Sequence, residues 1–422
     1  MSDDGVTIGV PVYRGERFLA QTLLSIQRQT HATFRVIMSI DSPDPVCEAI
    51  CAKFLDDPRF RMVVQPERLG WVGNLNWLLS QATDGFWYYH QQDDLTDTRY
   101  LEKLIAHARS HPTAALVYCD IIPIGRLSGE IFKAPSVLGV SPYTRIMTML
   151  QEHFPAFAFR GLARAEALRQ AGPVLENAVA NFGVDISWLT AIARHGELHR
   201  VAEPLYQKRY HDRNTETQWW SLPKDEQLRS WAHHCVDMLR VALEVGGSPE
   251  QSRLLWFGAA ARLTAPEAAR HFLDIGKLTP ADRLDLLRQF LDLAETSLPT
   301  QVPLRLDMDW AALRQMTIAS LWMPRSDLVG IVAFGPAQAR CNIPFNVQPN
   351  GASAIWLRVD RYPGPATQIS LNGAALQTEL QGNLMTALVP DAVTARPGRI
   401  PLVLVGPDGT KRSNTVTLEV VQ

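Results

Sequence analysis

Hydrophobic and polar positions change period three times along the chain. Over the first 220 residues, short apolar runs alternate with stretches of helical period. Val6 to Val12 and Phe34 to Ile40 read as buried strands. Between them, Phe18 to Gln29 sets Leu19, Thr22, Leu23 and Ile26 on one helical face, and Asp44 to Leu55 repeats the pattern with Cys47 and Cys51. Arg61 to Val64, Phe86 to Tyr89 and Ala114 to Tyr118 add strands, with helices predicted over Val72 to Ala82 and Tyr100 to Ser110. Strand, loop and helix repeating in this way predict a mostly parallel, Rossmann-like sheet.

From about Pro223 the strand signal stops. Asp225 to Val245, Pro249 to Leu263, Ala265 to Ile275, Ala281 to Glu295 and Trp310 to Trp322 are predicted helices, separated by Gly, Pro and Ser breakers. Beyond Pro324, short strands are expected over Ile355 to Val359, Gln368 to Leu371, Leu384 to Val389, Ile400 to Val405 and Thr415 to Val420. The pairs Asn372-Gly373, Gly382-Asn383, Pro397-Gly398 and Asp408-Gly409 supply turns between them, as in a small β-sandwich. Three domains are expected: 1–222, 223–324 and 325–422.

Composition narrows the function without naming it. A net charge of −2 over 422 residues gives no general attraction to nucleic acid or anionic lipid, so any phosphate site must be local. Five cysteines without paired metal spacing argue against a disulfide scaffold or a zinc finger. The acidic start, Met1 to Gly5, and the lack of a long apolar run predict no signal peptide and no transmembrane segment, hence a soluble, cytoplasmic protein.

Candidate chemistry collects at strand ends. The aromatic run Trp87 to Tyr89 leads into Gln91-Gln92-Asp93-Asp94. Open α/β sheets bind ligands beyond the carboxyl ends of their strands, and carboxylate oxygens there suit Mg²⁺ or Mn²⁺; a solvated turn is the plainer alternative. Asp41, ending the second strand, could accept from a base or ribose or cap the helix near Asp44. Arg68 to Asn76 crosses a helix start, whose free N–H groups can face an anion. Phe154 to Arg160 is expected to be a core strand. Trp219-Trp220 could stack on a sugar or pack between domains; Trp356 and Tyr362 carry the same ambiguity.

The order Val10-Pro11-Val12-Tyr13, Asp41, Gly70 with Asn76, and Gln91-Gln92-Asp93-Asp94 resembles the family 2 inverting glycosyltransferases of GT-A fold. The resemblance covers about half the chain. It implies an α/β GT-A (Rossmann-like nucleotide-diphospho-sugar transferase) domain, followed by the α-helical segment and an immunoglobulin-like β-sandwich. By that resemblance Pro11, Val12, Tyr13, Arg14, Asp41, Arg68, Asn76, Gln92 and Asp93 hold the donor nucleotide. Asp93 and His211 would hold a divalent metal, Mn²⁺ or Mg²⁺, and Asp185 would be the general base. Asp94, Gln91, Arg209, Arg213 and Trp219 are further candidates. Gln91 replaces the usual first Asp of D-x-D, and Val184 replaces the Glu of the E-D pair.

The implied activity is metal-dependent transfer of a sugar, with inversion, from a nucleoside-diphosphate donor (a UDP-sugar favoured) to a glycan or other hydroxyl acceptor, in the synthesis of a bacterial polysaccharide or other glycan. A catalytically degenerate GT-A protein that binds glycans or serves as a scaffold is the alternative, and a nucleotidyltransferase is a third. Ser413-Asn414-Thr415-Val416 and Pro344 to Gly351 resemble IPT/TIG modules.

Overall fold

The computed structural model describes residues 5–151, 156–269, 272–321, 330–359, 367–381, 384–406 and 413–422. Two compact units emerge, Met1–Thr317 and Ile318–Gln422. The helical segment that follows the sheet lies almost wholly in the first.

The apolar runs become strands because both faces are covered. β1 (Val6–Val12), β2 (Phe34–Ile40), β3 (Phe60–Val64) and β4 (Phe86–Tyr89) are parallel, with α1 (Leu19–Gln27), α2 (Pro45–Ala52) and α3 (Gly70–Ser80) as crossovers. Asp44, not Asp41, caps α2, accepting from the N–H groups of Val46 and Cys47. Next come β5 (Leu95–Thr96), α4 (Tyr100–Ser110), β6 (Ala114–Gly125), α5 (Pro142–Gln151), β7 (Leu162–Arg164), α6 (Ala165–Ala171), α7 (Val184–Ala193) and β8 (Glu197–Tyr210).

One eight-stranded sheet results, in the order β3-β2-β1-β4-β7-β6-β8-β5. β7 runs antiparallel to both β4 and β6, while β8 is parallel to β6. Two reversals cancel, so β6 and β8 point the same way as β1, β2 and β4. Their carboxyl ends therefore share one edge. The segment expected to be a core strand is instead a 3-10 turn, Ala156–Arg160; Phe154 and Pro155 lie outside the described residues.

α8 (Thr215–Trp220), α9 (Lys224–Leu243), α10 (Pro249–Arg262), α11 (Pro266–Ala269), α12 (Pro280–Ser297), α13 (Gln301–Leu306) and α14 (Trp310–Leu321) follow. Ser248 and Thr279 open α10 and α12 with capping boxes. α9 packs on α7, α10 and α12, which ties the helical segment to the sheet. Among the described residues, no helix is long and apolar enough to cross a membrane.

The second unit is all β. β10 (Gln338–Arg340), β12 (Gln368–Leu371), β13 (Ala374–Ala375), β16 (Gly398–Val405) and β17 (Val416–Val421) form one sheet; β9 (Ile331–Gly335), β11 (Ser353–Val359), β14 (Thr378–Gln381) and β15 (Leu384–Val389) form the other. Ile355, Leu357 and Met385 from one sheet meet Ile369, Leu402 and Leu404 from the other in a single core, which makes this a β-sandwich. Asn372 and Gly373 both adopt positive φ, as the Asn-Gly turn requires. Trp356 lies against Gly335, and Tyr362, Gly382-Asn383 and Asp408-Gly409 lie outside the described residues.

Candidate active site

The common edge brings distant residues into contact. Asp93, just beyond β4, and His211, just beyond β8, meet at 2.7 Å between Oδ2 and Nε2. The imidazole Nδ1 accepts from the Arg213 N–H at 3.1 Å, so the ring proton sits on Nε2 and is donated to Asp93. Phe18 lies beside the ring, its centroid 5.2 Å away. Gln91 takes part through its carbonyl, which accepts from the Asp94 N–H and from His90 Nδ1.

Gln92 fixes the opening loop. Its carboxamide accepts from the Tyr13 N–H at 2.9 Å and donates to the Tyr13 carbonyl at 2.8 Å, imitating a strand partner. Gly15 is required alongside: a Cβ there would stand 2.3 Å from Gln92 Oε1. The Tyr13 ring, half-buried, carries the Arg68 guanidinium 4.3 Å from its centroid and Arg14 at 5.2 Å. Both arginines are exposed.

Other donor-side candidates have structural partners. Val12 is buried, and its carbonyl accepts from the Asp41 N–H; Pro11 is in register with Ser39 inside the sheet. Asp41 is 3% exposed and accepts from the Leu69 N–H at 2.6 Å, anchoring the residue that opens α3. Asn76 does not turn toward the strand ends. Its amide pairs with both the N–H and the carbonyl of Val174, at 2.9 Å each, tying α3 to the loop before α7.

Asp94 is the buried hub. One oxygen accepts from the Arg209 N–H at 2.7 Å, the other from Tyr206 Oη at 2.8 Å and Arg160 Nε at 3.1 Å. Burial, then the adjacent Asp93, push its carboxyl upward, while Arg160 and its hydrogen bonds oppose the shift. Burial pushes Arg160 down, but Asp94, Tyr206 and Glu216 together more than reverse this and hold the guanidinium charged. Arg209 is similarly engaged, with Nε on the Asp93 carbonyl, Nη2 on Gln21 and its plane over Phe18 at 4.4 Å. Arg213 remains 66% exposed, paired with Glu16 at 3.3 Å. Lys208, buried and bonded to both oxygens of Glu216, is pushed down by burial and then by Arg160. Sequence reasoning overlooked Arg160 and Lys208; a charged residue closing an aromatic run was the one available signal.

Asp185 occupies the first turn of α7. Gly183, at φ 68°, begins that helix, and a Cβ there would stand 2.4 Å from His234 Nδ1. Desolvation raises the Asp185 carboxyl above the ordinary range, opposed by the Ile186 N–H and then the Arg160 charge. Burial pushes the Tyr89 hydroxyl well above its ordinary range, and the charges of Asp93, Asp94 and Asp185 add to the shift. Phe159 packs edge-on against Tyr89 and Trp188, so the 3-10 turn lies between β4 and α7. Trp219 packs edge-on against Phe182, and its Nε1–H donates to the Ala180 carbonyl. Val184, where an acid was expected, is buried.

Asp93 and His211 offer a hard carboxylate beside an imidazole, a donor set that fits Mn²⁺ and accommodates Mg²⁺. Ligation through Nε2 requires the ring proton on Nδ1, and hence release of the Arg213 N–H contact.

Residues 7–166 match the family model described as Glycosyl transferase family 2. Among solved structures, S. aureus TarS 1–349 in complex with UDP is 11% identical, with a TM-score of 0.49, covering 84% of this chain and 96% of that one. The mannosyltransferase PcManGT from Pyrobaculum calidifontis, in complex with GDP-Man and Mn²⁺, is 16% identical, with a TM-score of 0.43 and coverage of 76% and 88%. No curated protein matches the chain. The segment from 7 to 166 is thus that of a glycosyl transferase family 2 domain, and the amino-terminal domain has the GT-A fold.

Proposed function

We propose that the domain moves a sugar from a nucleoside diphosphate to an acceptor hydroxyl with inversion at the anomeric carbon. The observation that carries this reading is the 2.7 Å meeting of Asp93 and His211, from segments more than a hundred residues apart, at the carboxyl edge of the sheet.

The Tyr13 ring with Arg68 and Arg14 offers a flat, cationic wall to the base and diphosphate. A divalent cation held by Asp93 and His211 would supply Lewis-acid neutralisation of the leaving diphosphate. Arg213, exposed and weakly paired, adds positive charge at the same edge. Asp185 takes the acceptor's hydroxyl proton as that oxygen forms its bond to the anomeric carbon. The bond from that carbon to phosphate oxygen breaks, and its electron pair leaves with the nucleoside diphosphate. A desolvated carboxylate with a raised pKa is a stronger base than a solvated one, which suits this role.

The test is incubation of the purified chain with UDP-, GDP- and dTDP-sugars, with and without Mn²⁺, following thermal stabilisation and slow donor hydrolysis. At least one donor should stabilise the chain and release nucleoside diphosphate. Stabilisation by none would sink the reading, and release of pyrophosphate would identify a nucleotidyltransferase instead. Asp93→Ala and Asp185→Ala should each abolish turnover; retained glycan affinity without wild-type turnover would favour a scaffold.

A further inference from the structure

Away from the carboxyl edge, three imidazoles converge where α4 ends and β8 begins. His107 and His111 are one helical turn apart, their rings stacked with centroids 4.1 Å apart. His199, on β8, faces them across centroid distances of 5.4 and 4.7 Å. One ring nitrogen from each lies within 4.8 Å of the others.

The hydrogen bonds already orient two of the three as ligands. His111 Nδ1 lies 2.9 Å from the His107 carbonyl, which only accepts, so Nδ1 carries the proton and Nε2 keeps its lone pair. His199 Nε2 donates to Glu197 Oε2 at 3.1 Å, leaving the lone pair on Nδ1. Glu197 is itself fixed by the Gly139 N–H and the Thr113 hydroxyl, at 2.9 and 2.6 Å. A carboxylate orienting one nitrogen of an imidazole so that the other can ligate is the usual outer shell of a histidine-bound metal.

The spacing also fits. His107 Nε2 and His199 Nδ1 are 3.2 Å apart. Two nitrogens at zinc-bond length, separated by a tetrahedral angle, stand about 3.3 Å apart. Without metal, a proton shared between these nitrogens occupies that edge.

We propose that His107, His111 and His199 bind one transition-metal dication of the Zn²⁺ type, with Glu197 orienting His199 and water completing the tetrahedron. Imidazole ligands favour such ions over Mg²⁺. The site is separate from the Asp93–His211 pair: His199 pairs with Val117 and Tyr210 with Gly125, eight residues along β6, or roughly 25 Å at ~3.3 Å per residue. Its effect is to fasten the end of α4 to the start of β8.

The full-length chain, stripped with EDTA and dialysed, is titrated with ZnCl₂ by calorimetry without nucleotide, alongside Asp93→Asn to remove the other candidate site. Wild type and Asp93→Asn should both bind one equivalent at the histidines, and Co²⁺ should give the visible absorption of a tetrahedral site. His111→Gln, at the helix end, should weaken that equivalent at least 100-fold, and Glu197→Gln about 10- to 100-fold. Zn²⁺ should raise the melting temperature of Asp93→Asn but not of Asp93→Asn/His111→Gln. Absence of the equivalent from wild type, or its survival in the His107→Gln/His111→Gln double variant, would overturn the proposal.

Discussion

At the scale of single residues, each proposed role is separable because the side chains have different partners. The Asp185 side chain accepts from the Ile186 N–H, so Asp185→Asn removes the charge while keeping the shape. Turnover should fall by about 10²- to 10⁴-fold, with nucleotide-induced thermal stabilisation unchanged. The raised carboxyl has a second consequence. A group that binds its proton more tightly in the folded than in the unfolded state stabilises the fold below the unfolded pKa and loses that contribution as pH rises through the folded one. Asp185→Asn should therefore melt higher than wild type near neutral pH, the difference vanishing in acid, and the acidic limb of the rate profile should disappear with it. A lower melting temperature at neutral pH would contradict the assigned direction. Gln92→Ala tests the opening loop: loss of both bonds to Tyr13 should weaken nucleotide binding roughly 10-fold, about one hydrogen bond's worth, read by calorimetry.

At the scale of elements, the buried charges decide what holds the edge together. Arg160→Met leaves Asp94 in the interior without its ion partner, and should destabilise by about 3–5 kcal/mol in urea unfolding. Adding Asp94→Asn should restore much of that loss, because the stranded charge goes with it. These charges also mark where the sequence stopped being legible. The parallel strands before β5 and the Asn372-Gly373 turn follow from local pattern, since period and turn chemistry are properties of a few neighbouring residues. Asp93 and His211 were legible through their motifs. Arg160 was not, because its ion partner lies 66 positions away and its 3-10 turn carries the aromatic alternation of a strand. Asn76 stands in the expected place, but nothing local shows that Val174, 98 positions on, takes its amide. β5 and β7, at two and three residues, are too short to show a period.

At the scale of the whole molecule, two cores imply two folding events. The β-sandwich closes on Ile355, Leu357, Leu402 and their neighbours, and the sheet unit has its own core around Ile8, Val36 and Tyr88. A chain cut after Leu321, the end of α14, should keep its cooperative melting transition and its donor hydrolysis, while full-length protein shows two calorimetric transitions. Loss of hydrolysis in the shorter chain would show that the sandwich is needed for turnover. One detail of the sheet reaches further. Between the Cys119–Val201 and Ile121–Tyr206 pairs, β6 advances two residues and β8 five, and Ala202 and Pro204 lie exposed in that slack. The strand thus works like a cable with an expansion joint. Residues can be spliced in or out at the loop without dragging His199 or His211 out of phase, which makes it a natural port for a reporter or a purification handle.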